Sequence, residues 1–558
     1  MPETILVAAA WPYANGPLHL GHVAGSYLPA DIFARFQRAL GNDVLFVSGS
    51  DQHGTPVTVR AEQEGTTPSE IAGRYHESFL ESWEGLGISW DLYTRTGTEN
   101  HAEVARRVFT TLKDKGFIFK DTMQAYYCPQ CARFLPDRYV EGICPACGAA
   151  GARGDQCDEC GKPYDAAELQ SPRCRLCGAV PMLRETEHFF LDLSAFNQRL
   201  LEWVEAQEHW KPNVRGFTLN LLREGLKPRP ITRDLEWGIP VPVPGFESKR
   251  IYVWFEAVIG YLSASIEWAA RRDEPEAWKQ WWTDGAKSYY FVGKDNIPFH
   301  TIIWPAMLMG YGGLVLPYDV PANEFLTLEH RQLSTSRNWA VWVPDFLSRY
   351  DPDPLRYHLS INMPESSDTD FSWREFVRRN NDELVAAYGN LVHRTLTLTY
   401  RNFRGQVPDP GTPGEPDQAI LERARTTFAS VTDHLAACHF RAAIAEVMAL
   451  AREGNRYFDT KAPWKQVKED LADAATTLNT GVQLINTLKL LFYPFLPHSS
   501  QSLHEMLSFP RPLEQERGNW KMEQIPAGRR IQEPTPLFKR LEDSVADQEL
   551  ARMGTGTD

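Results

Sequence analysis

A chain of 558 residues, 43% hydrophobic and 23% charged, has the composition of a globular protein with ample core, and its length predicts several domains. A formal net charge of −14 argues against a general nucleic-acid binder, since phosphate contacts need lysine and arginine, unless the basic residues gather on one face. No run of about 18 apolar residues occurs, so no membrane span is expected, and Met1-Pro2-Glu3-Thr4 lacks the basic start of a signal peptide, which predicts a cytoplasmic location.

In chain order, Ile5 to Ala10 form a short apolar run suited to a buried parallel strand. A turn through Pro12 and Asn15-Gly16-Pro17 leads to a helix expected from about His19 to Leu40, and Val44 to Val47 read as the next strand, ending at Ser48-Gly49-Ser50-Asp51. Strand, helix and strand in this order predict a doubly wound α/β sheet. Residues 120 to 180 break the pattern, with frequent Gly and Pro and poor apolar periodicity, and are expected to be loops pinned by metal. The sheet pattern resumes at Ile251-Tyr252-Val253-Trp254 and Tyr289-Tyr290-Phe291-Val292, which predicts one sheet domain with an insertion. From Asp382 to Phe509 apolar residues recur at helical spacing (Leu384, Ala387, Tyr388, Leu391, Val392), predicting a helix bundle with a loop at Val407 to Gly414. The tail after Gly518 is polar and weakly patterned.

Eight of nine cysteines form four Cys-x-x-Cys pairs: Cys128 with Cys131, Cys144 with Cys147, Cys157 with Cys160, and Cys174 with Cys177. The two-residue gap lets both thiolates face one ion, and two pairs complete a tetrahedral site, so two structural zinc ions are expected. The inner pairs should share one ion and the outer pairs, which bracket them, the other. The ninth, Cys438, reads as a small buried hydrophobe. His19-Leu20-Gly21-His22 place two imidazoles on one face of a helix start, where free backbone N–H groups suit phosphate. Taken alone this is a weak signal. Neither a GxGxxG nor a GxxxxGK[ST] motif is present, which excludes a dinucleotide fold and a P-loop kinase.

The stretch from Ala10 to His22, AWPYANGPLHLGH, resembles the His-Ile-Gly-His signature of class I aminoacyl-tRNA synthetases, and its Pro12 to Gly16 segment is similar to the methionyl branch. Collinear matches follow at Asp51 to Pro56, Phe134 to Arg138, Ile231 to Asp234, Tyr252 to Ala257, Gly293 to Asp295 with Phe299-His300, Asn390 to Arg394, and Ala462 to Trp464. The resemblance implies a Rossmann-like catalytic domain in two halves, 1–117 and 231–320, with a zinc-knuckle insertion at 118–230. It further implies a linker domain at 321–381, a helical anticodon-binding domain at 382–518 and a tail at 519–558. The implied activity is ATP-dependent formation of methionyl-adenylate, with Mg²⁺ accompanying the nucleotide, and transfer of methionine to its tRNA. By the same resemblance His19, Gly21 and His22 serve catalysis, and His19 and His22 hold ATP together with Gly293, Lys294, Asp295 and Thr335. Arg331, Ser334, Thr335, Ser336 and Arg337, in and beside the second signature loop, are expected to serve catalysis with them. Ala10, Trp11, Tyr13, Asp51, Trp254, Ala257, Tyr261 and His300 surround methionine, with Asp51 on its ammonium group, while Asn390, Arg394 and Trp464 read tRNA. A monomer is expected, because no added oligonucleotide-binding domain follows.

Two positions depart from the family. The second signature, Lys-Met-Ser-Lys-Ser, is replaced by Gln332-Leu333-Ser334-Thr335-Ser336, so both lysines are missing; Arg331 and Arg337 flank the loop. Trp11 stands where leucine is frequent and predicts a reshaped pocket. These departures keep two rivals open: a ligase that passes an adenylate to a small acceptor, and an inactive RNA-binding relative.

Overall fold

The computed structural model describes residues 2–154, 157, 166–335 and 338–553; Cys160, Ser336 and Arg337 of the expected site lie outside these described residues. Five strands form a parallel sheet: β1 (Thr4–Ala9), β2 (Asp43–Ser50), β3 (Leu92–Arg95), β4 (Ala286–Gly293) and β5 (Ala322–Asn323). Their order is β5-β4-β1-β2-β3, with every neighbouring pair parallel. Ile5, Val7 and Ala9 enter one core cluster with Phe33 and Phe36, while Leu6 and Ala8 enter another with Val108 and Phe109. Both faces of β1 are therefore covered, which is why its sequence is apolar without alternation. The chain leaves β1 towards β2 on one side and receives β4 on the other. That reversal opens a crevice beyond the carboxyl ends of these strands, where ligands settle in such sheets.

The expected helix after His19 is present but interrupted: Leu20–His22, then a π-helical turn at Val23–Tyr27, then Leu28–Leu40. It stops at Gly41, whose φ of 93° is left-handed and suits glycine. The segment Ile251 to Trp254 is not a strand of the sheet. Arg250–Ile251 pairs briefly and antiparallel with Thr232–Arg233, and Val253–Ala257 is a short helix. Four apolar residues in a row suit either conformation, and here tertiary packing chose the helix.

The insertion has more regular structure than its composition suggested. Ile118–Cys128 and Met182–Leu191 run antiparallel as one long ribbon, in register from Ile118 opposite Leu191 to Tyr127 opposite Met182. Beyond its tip Val140–Ile143 pairs with Ala150–Arg153 and with Gln170–Cys174. The ribbon is solvated on both faces along much of its length, so it lacks the alternation that marks a half-buried strand.

The bundle contains helices Asn390–Asn402, Glu415–Ala436, Phe440–Lys461, Leu471–Phe492 and Pro497–Met506. Cys438 is buried in the turn between two of them, as its isolation suggested. Among the described residues no helix is long and apolar enough to cross a membrane. The tail is no loose appendage. Trp520, Ile525, Ile531 and Phe538 are buried, the Trp520 amide donates to Ala39 O at 2.9 Å, and a final helix, Ser544–Arg552, buries Glu549 against Arg349. An extended strap touches the core at irregular intervals, so no periodicity announces it.

The catalytic and helical parts are joined by a buried ionic node. Asp31 accepts hydrogen bonds from Arg35 Nε at 3.0 Å, Arg356 Nη2 at 2.7 Å and both Ser89 N and Oγ. Arg356, from helix Pro352–Ile361, also donates to Leu86 O, Pro494 O and Phe495 O. Burial alone would raise the Asp31 carboxyl, but the two guanidinium groups and Ser89 hold it down at about 2. Its stabilising contribution is thus fully present above the ordinary carboxylate value of 3.8 and is lost as the pH falls through about 2. Asp31→Ala should strand two buried cations and cost about 3–5 kcal/mol. Urea unfolding at pH 7 should show a markedly lower midpoint; an unchanged midpoint would mean that water already solvates the arginines.

Candidate functional site

The crevice is built from the ends of β1, β2 and β4. His19 caps the first helical turn: its Nδ1 accepts from Gly21 N at 3.1 Å, and His22 Nδ1 accepts from His19 N at 3.2 Å. Each ring therefore carries its proton on Nε2. The rings stack at 3.8 Å between centroids. Burial, then the neighbouring His22, push His19 well below the usual imidazole value, and burial takes His22 to about 4, so both are neutral at pH 7. A Cβ on Gly21 would lie 2.8 Å from Leu333 Cδ1, so glycine lets the helix start sit directly against the second signature loop.

That loop follows the strand Leu326–Leu328, which pairs with Arg331–Gln332 and Thr369–Phe371. Ser334 and Trp339 exchange backbone hydrogen bonds at 2.9 Å, closing it, and Trp339 Nε1 donates to Leu328 O. The outgoing chain then docks on the first signature: Leu20 N donates to Val341 O at 3.2 Å, and His19 meets the Trp342 ring edge-on at 6.1 Å. The two signatures, more than 300 residues apart in the chain, thus share one wall. Arg331 is exposed, its guanidinium 5.0 Å above the Trp339 ring; Thr335 is exposed and Ser334 half-buried. Lys294, after β4, is paired to Asp368 at 2.7 Å and Glu324 at 2.9 Å. Gly293 is crowded by its neighbour, since a Cβ there would lie 2.8 Å from Asp295 Oδ1.

On the opposite side of β1 the residues expected to surround an amino acid come together. Tyr13 forms a parallel bridge with Asp51, and Trp254 Nε1 donates to Tyr13 OH at 3.0 Å. The Tyr13 ring lies over Gly54, where a Cβ would be 2.4 Å from it. Tyr27 OH donates to Ala10 O at 2.7 Å, fixing the end of β1. His300 Nδ1 faces Asn296 O at 2.9 Å, so Nδ1 carries the proton and Nε2 accepts from Tyr261 OH at 2.7 Å. Burial pushes His300 to about 4, so this pair is neutral. Ala257 lies on the Trp254 helix.

Trp11 is accommodated rather than merely tolerated. Its ring lies between Gly49 and Gly260, where added Cβ atoms would approach it to 2.4 and 2.7 Å, and it meets Tyr261 edge-on at 6.3 Å. Asp51 is 3% exposed, and its Oδ1 accepts from His53 N at 3.2 Å. Two residues that carried no assigned role stand beside it. His53 Nδ1 is 2.6 Å from Glu256 Oε1, and Glu256 is wholly buried. Both belong to quoted motif stretches, which was the only signal; a contact across 203 positions leaves no local trace.

The cysteines group as 128, 131, 174 and 177, and as 144, 147 and 157, with the Sγ atoms of each group within 4.8 Å of one another. Cys128 to Cys177 is 3.5 Å, Cys131 to Cys174 is 3.9 Å and Cys147 to Cys157 is 3.7 Å. A tetrahedron with Zn–S bonds of about 2.3 Å has edges of about 3.8 Å, so the donor sets fit that ion, and the distances are far too long for disulfides. In the bundle Arg394 lies 4.6 Å over the Trp464 ring and pairs with Asp459, with exposed Asn390 one helical turn before it.

Residues 5–396 match the family model of class I tRNA synthetases (M), and residues 407–557 match that of the anticodon binding domain of methionyl tRNA ligase. The chain is 59% identical over 554 residues to a methionine–tRNA ligase of Dehalococcoides mccartyi, covering 99% of this chain and 100% of the relative. A methionine–tRNA ligase of Thermomicrobium roseum is 56% identical, with 99% of each chain covered. The solved methionyl-tRNA synthetase of Mycobacterium tuberculosis bound by methionyl-adenylate superposes with a TM-score of 0.80 at 26% identity, covering 97% of this chain and 100% of that one.

Proposed function

The chain belongs to the methionyl-tRNA synthetases, class I ligases that activate methionine with ATP and join it to tRNA, and from that premise we propose how its own residues divide the work. The observation that carries the proposal is the convergence of the His19–His22 turn, the second signature loop and the Asp51 pocket on one crevice. ATP, as its Mg²⁺ complex, lies along the helix start. Neutral His19 and His22 offer Nε2–H groups to its phosphates, Gly21 lets the nucleotide approach the backbone, and Gly293, Asp295 and Thr335 complete its surroundings. Methionine places its ammonium on Asp51 and its thioether against Ala10, Trp11, Tyr13, Trp254, Ala257, Tyr261 and His300, whose aromatic walls suit sulfur. Its carboxylate attacks the α-phosphorus, pyrophosphate leaves, and the terminal ribose hydroxyl of tRNA attacks the adenylate carbonyl. Positioning and charge stabilisation supply most of the acceleration. Neither rival reading is needed, since the anticodon-binding part and nearly the full length match tRNA ligases.

We assign two structural zinc ions, one to Cys128, Cys131, Cys174 and Cys177, the other to Cys144, Cys147, Cys157 and Cys160. Thiolate at every position leaves no open place for water. We further assign the domain limits given by the sequence, a cytoplasmic location and a monomeric state. Elemental analysis should find two zincs per chain, and Cys174→Ser should remove one of them; a value of one in the intact protein would sink the pairing.

Asn390, Arg394 and Trp464 form the surface that reads the anticodon, the Arg394 guanidinium and the indole offering planes for unpaired bases. Trp464→Ala should remove a stacking platform worth about 1–3 kcal/mol. Aminoacylation should fall steeply while methionine-dependent pyrophosphate exchange stays near normal. Equal loss of both would mark Trp464 as packing only.

The missing lysines leave the pyrophosphate short of charge, and Arg331 and Arg337 are the flanking cations. Lys294 is the weaker substitute, because Glu324 and Asp368 already balance it. One charge-assisted contact in a closed site is worth roughly 2.7–4 kcal/mol. Arg331→Ala or Arg337→Ala should therefore slow single-turnover adenylate formation about a hundredfold with methionine binding unchanged. If neither variant slows it, the charge comes from elsewhere.

A further inference from the structure

Beside Asp51 the chain buries a second carboxylate for which the two-step reaction has no evident use. Glu256 is 0% exposed; its Oε1 holds His53 Nδ1 at 2.6 Å, and its Oε2 is buried without a hydrogen-bond partner. The helix that carries it also carries Trp254 and Ala257 of the methionine pocket. His53 in turn gives its backbone N–H to Asp51 Oδ1 at 3.2 Å, and its ring meets Trp237, whose Nε1 is fixed on Gln52 O at 2.6 Å.

We propose that His53 and Glu256 form a buried charge-balancing pair that keeps the Asp51 carboxylate free to receive the α-ammonium group of the amino acid. The proposal rests on the reading that Asp51 binds that ammonium. Two carboxylates and one imidazolium leave a single net negative charge in a dry pocket, and the arriving ammonium cancels it. Without the imidazolium the charge of buried Glu256 would act on Asp51 uncompensated and favour its protonated form. A protonated Asp51 is a poor ammonium receptor. His53 and Glu256 thus act as positioning residues through Asp51.

The surrounding charges support this division. Burial, then Glu256, raise the Asp51 carboxyl, while His53 opposes them through its charge and its amide. Burial would lower the His53 imidazole, but Glu256 first and then Asp51 lift it above the usual value. His101, from helix Glu99–Asp114, is the other titratable ring facing His53, and burial takes it down to about 3, so it stays neutral. Tyr261 and His300 across the pocket are neutral as well, the first held up and the second held down by burial.

The test is the pH profile of KM for methionine in pyrophosphate exchange between about pH 6 and 8. The wild-type KM should vary with pH much less than that of His53→Gln. His53→Gln leaves the charge of Glu256 uncompensated beside Asp51 and favours protonated Asp51, so its KM should rise by up to about tenfold for each unit the pH falls, with kcat little changed. Adding Glu256→Gln to His53→Gln removes the uncompensated charge and should flatten the profile again. A flat but uniformly raised profile in His53→Gln, or no recovery in the double variant, would reduce the pair to ordinary packing. Asp51→Asn separates the two claims, for it should raise KM at every pH. If it does not, the ammonium assignment itself fails. Should His53→Gln not fold, the ¹⁵N resonances of His53 in the intact enzyme decide: an imidazolium persisting above pH 7 is expected, and a ring already neutral at pH 7 overturns the proposal.

Discussion

Everything in the crevice depends on one buried carboxylate, Asp31, and the two arginines that share it. Asp31 and Arg35 lie on the helix that begins at the His19 turn. Arg356 arrives from beyond the second signature loop, and the carbonyls it binds belong to Leu86 and to Pro494 and Phe495, in the turn between the last two bundle helices. One ionic node therefore fixes four pieces of chain, among them the two that carry or follow the signatures. Such a node is costly to assemble and adds little over an apolar replacement, but it is unforgiving of displacement, because a guanidinium shifted out of register is a buried unpaired charge.

With the frame held, the crevice divides its electrostatics by side. On the side of the His19 turn the protein presents neutral imidazoles, glycine and backbone, with Arg331 exposed at the rim. On the side of Asp51 it presents an acidic centre walled by neutral aromatic groups. On the binding mode proposed above, triphosphate and ammonium are thereby sorted to opposite ends before any chemistry begins, with the carboxylate of methionine towards the phosphorus.

Much of this was legible in the residues and some was not. The apolar run at Ile5 and the His19-Leu20-Gly21-His22 turn locate the sheet and the crevice because parallel strands and helix starts leave local signatures. The Cys-x-x-Cys spacing likewise locates the knuckles, since both thiolates of a pair must face one ion. The run at Ile251 misled, because four apolar residues fit a strand and a one-turn helix equally, and only packing against the pocket decides. The tail was unreadable for a different reason: Trp520, Ile531 and Phe538 bury themselves singly along an extended path, so no period exists to detect. The His53–Glu256 contact lies beyond any local rule, being a property of the closed fold.

The indole of Trp11 has a consequence for how this pocket can change over time. Gly49 belongs to β2 and Gly260 opens the helix that carries Tyr261; each must stay without a side chain while the indole lies between them. Any larger residue at Gly260 is barred as long as Trp11 remains, whereas at Gly49 the Thr94 carbonyl oxygen, 2.5 Å from an added Cβ, bars one even after Trp11 has shrunk. Gly260 can therefore change only after Trp11 does, and Gly49 only if the neighbouring strand β3 moves as well.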